Sequence, residues 1–291
     1  MNGKVAFAIS DEFPNLTDDD RLAADSLSER GLDVEPVLWD RKDLDWSSYT
    51  TVIIRSCWDY HNRAAEFYQW LQSLDEQGVS LWNPPAIVRW NMEKTYLRDL
   101  EERGVRVLPS VWLPRGAEVN LASLMKEQVW KQVVIKPVIS AAADQTYLIA
   151  QEAAETHQDK FQALLQQGGM IVQEFAKEIQ DQGEWSLIFF DKRYSHAVLK
   201  QPKSEDFRVQ QHLGGTVKVA SPSAALVEQA KELLDKVDSD LLYARVDAIE
   251  RQGRLHLMEL ELIEPLLFFE VHPQAPGLFA EALVKHLAVK E

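Results

Sequence analysis

The apolar positions of this chain change their period as the sequence proceeds, and the change divides it. Lys4–Ser10 is an apolar run of strand length. Thr17 then predicts an N-cap for a helix running to Arg30, with Gly31 as its stop. Thr51–Ile54 is a second short buried-type strand. Asn62 is expected to cap a second helix that carries Phe67, Trp70, Leu71 and Leu74 on one face and ends at Gly78. Strand alternating with helix implies a small parallel sheet.

Asn83-Pro84-Pro85 interrupts that rhythm. The pattern beyond it predicts a helix over Met92–Glu102, capped by Asn91 and stopped at Gly104. Strands follow near Val105–Trp112, Val133–Val138, Tyr147–Ala150 and Met170–Phe175, with a helix around Thr156–Gln167. The last third reads as hairpins. Glu184–Phe190 and Tyr194–Lys200 flank a turn at Asp191-Lys192, and Tyr243–Ile249 and Leu255–Leu262 flank a turn containing Gly253. Helices over Ser223–Val237 and Pro276–Leu287 complete the chain. The expected class is therefore α/β followed by α+β, with a parallel-sheet domain over 1–90, a central lobe over 91–175 and a C-terminal lobe over 176–291.

The second hairpin is the most informative stretch. Residues two apart on a strand share a face, so Glu259 and Glu261 point the same way, as do Arg245 and Asp247. A three-residue loop, Gln252-Gly253-Arg254, would set Asp247 directly opposite Glu259, with Cβ atoms about 5 Å apart. A two-residue loop would shift the register and spoil the pairing. Carboxylates about 4 Å apart repel by about 4 kcal/mol at an effective dielectric of 20. A hard divalent cation with oxygen ligands, such as Mg²⁺, offsets that repulsion. The same alternation also describes a solvated acidic strand face.

Several cations stand where anions could meet them. Lys94 is placed by the predicted helix in its first turn, where free backbone N–H groups favour anions. Lys136 lies inside the apolar run Val133–Pro137, which is costly without a partner. Arg208 precedes Gly214-Gly215, and Arg245 shares a strand with Asp247. Each also has a plain structural reading as a surface or ion-paired residue. The phosphate loop G-x-x-x-x-G-K-[ST] and the dinucleotide fingerprint G-x-G-x-x-G are absent.

Composition narrows the choice of function. The 291 residues are 46% apolar and 26% charged, an ordinary globular balance for about two or three domains. Lys and Arg number 31 against 46 Asp and Glu, and a net charge of -15 repels nucleic acid and anionic membrane. No apolar stretch approaches the roughly 20 residues of a bilayer span. The single cysteine, Cys57, permits no intrachain disulfide and suits a reducing, cytoplasmic setting. Cys57 near His61 suggests a nucleophile, but no neighbouring residue supplies a depressed pKa. His196, His212, His256 and His272 lack metal-ligand spacing.

In order, Asn83-Pro84, Asn91-Met-Glu-Lys94, Ile135-Lys-Pro137, Val172-Gln-Glu-Phe175, Gly183-Glu-Trp-Ser186, Phe207-Arg208 with Gly214-Gly215, Arg245-Val-Asp247 and Glu259-Leu-Glu261 resemble the motifs of the ATP-grasp superfamily. The likeness spans nearly the whole chain and is strongest to the group of the O-ureido-D-serine cyclo-ligase and glutathione synthetase. It implies an ATP-grasp fold in which two α+β lobes clasp ATP behind a small parallel-sheet domain. It also implies an ADP-forming ligase that joins a small acid to an amine through an acyl phosphate. By that resemblance Lys94 and Lys136 contact phosphates, Gln173, Glu174 and Phe175 hold adenine, and Glu178 binds ribose. Asp247, Glu259 and Glu261 hold two Mg²⁺ ions, with Mn²⁺ as a substitute, and Arg208 and Arg245 steady the transferred phosphoryl group.

Two departures stand out. Glu261 replaces the asparagine common in the metal motif. The loop after the second lysine, Val138–Asp144, contains no glycine and should be stiffer than its counterparts.

Arg55-Ser-Cys-Trp-Asp-Tyr-His61 follows a strand of the parallel sheet, where ligands of such sheets bind. Arg55, Asp59 and Tyr60 are therefore expected to bind the acid or the acceptor, or else to anchor a loop around Trp58. Expected partners are small carboxylates and amines, with a homodimer allowed. An intramolecular cyclo-ligase and a nucleotide-binding protein without turnover are the alternative functions.

Overall fold

The computed structural model describes residues 3–141, 143–203, 208–209 and 214–288. Of the residues singled out from sequence, Ala142, Phe207 and His212 lie outside that set. The chain begins with β1 (Gly3–Ile9), α1 (Asp18–Ser28), β2 (Leu32–Leu38), β3 (Thr51–Ile54), α2 (Ala64–Glu76) and β4 (Leu81–Trp82). The strands form a parallel sheet in the order β2-β1-β3-β4. Thr17 caps α1 through Asp20 N–H. Strand β2 was not expected. Its polar Asp33 and Glu35 and its Pro36 hide a strand that lies at the sheet edge, where proline is tolerated. Asn62 caps nothing, because a 3₁₀ turn over Tyr60–Arg63 runs straight into α2.

The expected helix over Met92–Glu102 is two helices, α3 (Pro85–Asn91) and α4 (Tyr96–Glu102). Asn91 ends the first instead of capping the second. Lys94 therefore sits in the turn between them, not at a helix N-terminus, and its backbone N–H donates to Val138 O at 2.7 Å. Next come β5 (Ser110–Leu113), α5 (Leu121–Glu127), β6 (Gln132–Pro137), β7 (Tyr147–Ala150), α6 (Gln158–Gln167) and β8 (Met170–Glu174). They make an antiparallel sheet ordered β5-β8-β6-β7. The strand expected over Val105–Trp112 is divided. Ser110 onward joins this sheet, whereas residues 106–108 hydrogen-bond Leu257 of the next one.

The remainder is α7 (Glu178–Asp181), β9 (Glu184–Phe190), β10 (Arg193–Gln201), β11 (Thr216–Val219), α8 (Ala224–Leu234), β12 (Tyr243–Arg251), β13 (Arg254–Glu261) and α9 (Ala275–Ala288). Its five strands are ordered β11-β10-β9-β12-β13. Apolar cores cross the chain order. Phe279 and Leu283 of α9 pack with β1, and Leu97 and Leu100 of α4 pack with Leu187 and Phe189 of β9. No described helix is long and apolar enough to cross a membrane.

Strand β13 is an edge strand, and its outer backbone groups are satisfied from outside the sheet. Tyr96 Oη accepts from Leu260 N–H at 2.8 Å. The Asn91 carboxamide donates to Leu260 O and accepts from Leu262 N–H. Fully buried Asn83 donates to Tyr243 O and Leu262 O and accepts from Leu242 N–H. Behind this edge, Asp19 accepts from the N–H groups of Leu267 and Phe269.

Two measurements check these ties. Asn83→Ala strands three buried backbone groups and should lower the unfolding free energy by roughly 2–4 kcal/mol in urea titrations. Burial raises the Asp19 carboxyl to about 6, against the pull of Arg55. A folded pKa above the unfolded one gives stability that is complete below the unfolded value and is lost as pH rises through the folded value. Wild-type stability relative to Asp19→Asn should therefore decline between about pH 4 and pH 6.

Candidate active site

One cavity of about 500 Å³ opens between the antiparallel sheets and the loop after β3. Its floor is the inward face of the five-stranded sheet. Period-two alternation puts Arg245 and Asp247 of β12 and Glu259 and Glu261 of β13 on that face. The registers run Arg245 opposite Glu261, Asp247 opposite Glu259, and Asp247 opposite Ser186 of β9. The loop has two residues, because Arg251 pairs with Arg254 and both Gln252 and Gly253 have positive φ, as a type I′ turn requires. The three-residue loop is thus wrong, yet the pairing it was meant to give is present. A bulge at Met258, between the Asp247–Glu259 and Ala248–Leu257 pairs, restores the register.

Most charges on this floor are matched. Arg245 holds Asp247 through Nε and Nη2, with Nη2 at 2.9 Å, and also binds Glu261. Lys200 pairs with Glu184 at 2.5 Å and Asp247 at 3.3 Å. Lys94 Nζ meets Glu259 at 2.7 Å and Ser140 O at 2.6 Å. Burial would raise the Asp247 carboxyl, but Arg245 and Lys200 hold it at about 2. Burial, with Asp247 and Glu259 nearby, lifts Glu261 to about 7 in spite of Arg245. Glu259 is held low by Lys94 and Lys136 against its burial.

Lys136 differs from these. It is 9% exposed and lines the cavity, and its ammonium makes no ion pair or hydrogen bond with another described residue. Burial lowers its pKa. Glu259 acts on it only without direct contact, and a buried ammonium with no contact partner facing a cavity is a receptor for an anion.

The segment between the two antiparallel sheets also lines the cavity. Gln173, Glu174 and Phe175 line it together with Leu108, Ile179 and Met258. Arg208 also lines the cavity. Glu178 does not line it; Arg251 grips its carboxylate at 2.6 and 3.1 Å and reaches Glu174 at 3.3 Å. Among the described residues no three acidic, His or Cys side chains converge as a ready cation cage. The carboxylates instead face cations, which suits Mg²⁺ taking one or two of them and completing its shell with phosphate oxygens.

The expected substrate residues separate. Tyr60 and Trp58 line the cavity. Arg55 does not. It is 2% exposed, pairs with Asp20 at 2.7 Å and donates to Pro265 O, so it is spent inside the protein. Asp59 accepts from Trp39 Nε1 and pairs with Arg63, likewise away from the cavity. The Cys57 thiol is buried against Ala8 O and its pKa is raised by burial, the reverse of an activated nucleophile. His196 bonds Leu267 O and Ser195, outside the cavity lining.

Glu184, Lys200 and Glu264 were missed as site residues. Gly183 signals the first two. At φ +101° it lies against Lys200 O, which a Cβ there would meet at 2.7 Å, so the strands approach closely where Glu184 faces Lys200. A bulge between Tyr194 and His196 shifts the hairpin register and hides that pair from a count along the sequence.

Comparison with known proteins bears on the fold and the family. Residues 5–83 match the family model described as D-cycloserine synthetase DcsG, N-terminal domain. The cycloserine biosynthesis protein DcsG of Streptomyces lavendulae is 29% identical over 272 residues, covering 88% of this chain and 90% of that protein. The crystal structure of D-cycloserine synthetase DcsG superposes with a TM-score of 0.85 at 25% identity, over 98% of this chain and 100% of the other. D-Alanine–D-alanine ligase from Bacillus anthracis shares the fold, with a TM-score of 0.69 at 12% identity and 99% of each chain covered. The chain is thus similar to DcsG over nearly its whole length and shares its fold with ATP-grasp ligases.

The charge matching sets a contrast. Arg245→Met leaves buried acids short of their cation and should cost about 3–5 kcal/mol of stability. Arg251→Met breaks a half-exposed group and should cost less than about 1 kcal/mol. Equal losses in denaturant titrations would refute the distinction.

Proposed function

We propose that this DcsG-like ATP-grasp chain is an ADP-forming ligase that activates a small carboxylic acid as its acyl phosphate and passes the acyl group to an amine. The observation that carries this reading is Lys136, a buried cation facing the same cavity as the acidic floor and lacking a protein partner among the described residues. A triphosphate supplies the missing anion.

In this reading Gln173, Glu174 and Phe175 hold the adenine, and Lys94 and Lys136 hold the phosphates. Asp247, Glu259 and Glu261 take Mg²⁺, two ions in all, with Mn²⁺ able to substitute. The metal, when bound, offsets negative charge on the phosphate oxygens. Lys94 gives up Glu259 and turns to phosphate. Arg208 and Arg245 steady the group in transfer. Glu178 stays with Arg251 and acts on the nucleotide only through that pair.

A substrate carboxylate oxygen attacks the γ-phosphorus, the bond from that phosphorus to the bridging oxygen breaks, and ADP departs. The amine then attacks the acyl carbon, inorganic phosphate leaves and the nitrogen loses a proton to solvent. No protein nucleophile is needed, which agrees with the inert Cys57. The substrates are a small carboxylate and an amine, with no nucleic acid or membrane involved.

A second reading is favoured by the likeness to a cycloserine biosynthesis protein along nearly its full length. There the acid and the attacking nitrogen belong to one molecule, and ring closure replaces joining.

ADP release with ATP, Mg²⁺ and a panel of amino acids tests both. Turnover on a single substrate indicates ring closure, whereas dependence on an added amine indicates intermolecular ligation. Lys136→Ala and Glu259→Gln should each lower kcat/KM by about 100-fold or more. ATP binding without ADP release on any acid would leave a nucleotide-binding protein and overturn the ligase reading.

A further inference from the structure

Every carbonyl from Leu262 to Leu267, in the segment after β13, accepts a hydrogen bond from a side chain of another part of the chain. Among the donors, Arg245 Nη1 reaches Leu266 O at 3.1 Å and His196 Nε2 reaches Leu267 O at 3.0 Å. Asp19, in the first turn of α1, takes the amides that come next. Its carboxylate accepts from Leu267 N–H at 3.2 Å and from Phe269 N–H at 2.5 Å. A backbone held at so many points is a rigid wall, and Leu266 and Phe268 of this wall line the cavity. Asp19 is buried behind it and does not line the cavity.

Phe268 sits between the two amides that Asp19 holds, at φ 52° and ψ 43°. A bulky residue adopts this left-handed conformation rarely, and only where its surroundings impose it. Here the Asp19 carboxylate grips the backbone on both sides. The buried Phe268 ring that results has its centroid 6.0 Å from the Arg245 guanidinium carbon, within reach of a cation–π contact.

Arg245 therefore has two sets of partners. One is the pair of carboxylates, Asp247 and Glu261. The other is the wall, through Leu266 O and the Phe268 ring. In the reading given above, both carboxylates turn to Mg²⁺ when nucleotide is bound, and an oxygen that serves a metal is a poorer acceptor for a guanidinium. The contacts to the wall use none of those oxygens and persist. They are then what keeps Arg245 aimed at the group in transfer.

We propose that Asp19 is a positioning residue for phosphoryl transfer: by fixing Phe268 in its left-handed form, it holds the Arg245 guanidinium in place once Asp247 and Glu261 serve the metal. The proposal rests on the ligase reading. It gives a residue of α1, packed with the parallel sheet, a part in chemistry on the five-stranded sheet.

The test reads the guanidinium by NMR of protein labelled with ¹⁵N-arginine, the Arg245 signals being identified by their loss in Arg245→Lys. Two variants are compared with the wild type. Asp19→Asn can accept from only one of the two amides. Phe268→Gly removes the ring but takes the left-handed conformation freely, so it spares the backbone. Without ligand, the carboxylates should keep rotation about Nε–Cζ slow in all three proteins. With Mg²⁺ and a non-hydrolysable ATP analogue bound, rotation should stay slow in the wild type and become about 10-fold or more faster in both variants, the effect of losing a charged hydrogen bond. In ADP release, both variants should lose about 10-fold or more in kcat while KM for ATP stays the same, the mark of an interaction made only in the transition state. Slow rotation in the loaded variants overturns the proposal, as do equal losses of ATP affinity and rate, which general damage to the fold would give. A wild type that fails to bind the analogue sinks the ligase reading and this proposal with it. A wild type that turns over while both variants match it sinks this proposal alone.

Discussion

The site depends on one exposed edge being made safe. Strand β13 carries Glu259 and Glu261, and no described strand pairs with its outer side within its own sheet. An edge of free N–H and C=O groups is costly when buried. Here Asn83, Asn91, Tyr96 and the backbone of residues 106–108 close it. These partners come from the segment joining the parallel sheet to the central sheet. The same hydrogen bonds therefore fix the acidic strand and seat the N-terminal part against it.

Once the edge is fixed, charge balance decides the rest. Acids and bases brought onto one sheet face would repel or be stranded unless each met its opposite. Arg245 and Lys200 share Asp247, and Lys94 reaches Glu259 across from another element. Among the described residues, Lys136 and Glu264 line the same cavity without an ion pair. In a cavity built to this degree of pairing, the Lys136 ammonium marks where a ligand anion completes the circuit, a phosphate by the reading given above.

The departures from expectation share a cause. Arg55 and Asp59 were placed at the site because they follow a parallel strand, but a distant acid and an indole claim them. Lys94 was placed at a helix start, yet Asn91 is committed to β13 and the helix begins only at Tyr96. In each case a long-range hydrogen bond overrode a local signal.

By itself, the sequence determined the types of the elements it marked, though not β2, α5 or β11, together with the parallel-then-antiparallel arrangement and the sharing of one face by Arg245 and Asp247 and by Glu259 and Glu261. These follow from periods of two and 3.6 residues, which are properties of local backbone geometry. The tertiary structure alone decided which charges meet. Two bulges reset strand registers, one at Met258 that rescues the Asp247–Glu259 pair and one near Ser195 that creates the Glu184–Lys200 pair. A bulge adds a residue without altering the apolar pattern that surrounds it. Glu264 likewise has no local mark, because being unpaired is a property of its surroundings and not of its neighbours along the chain.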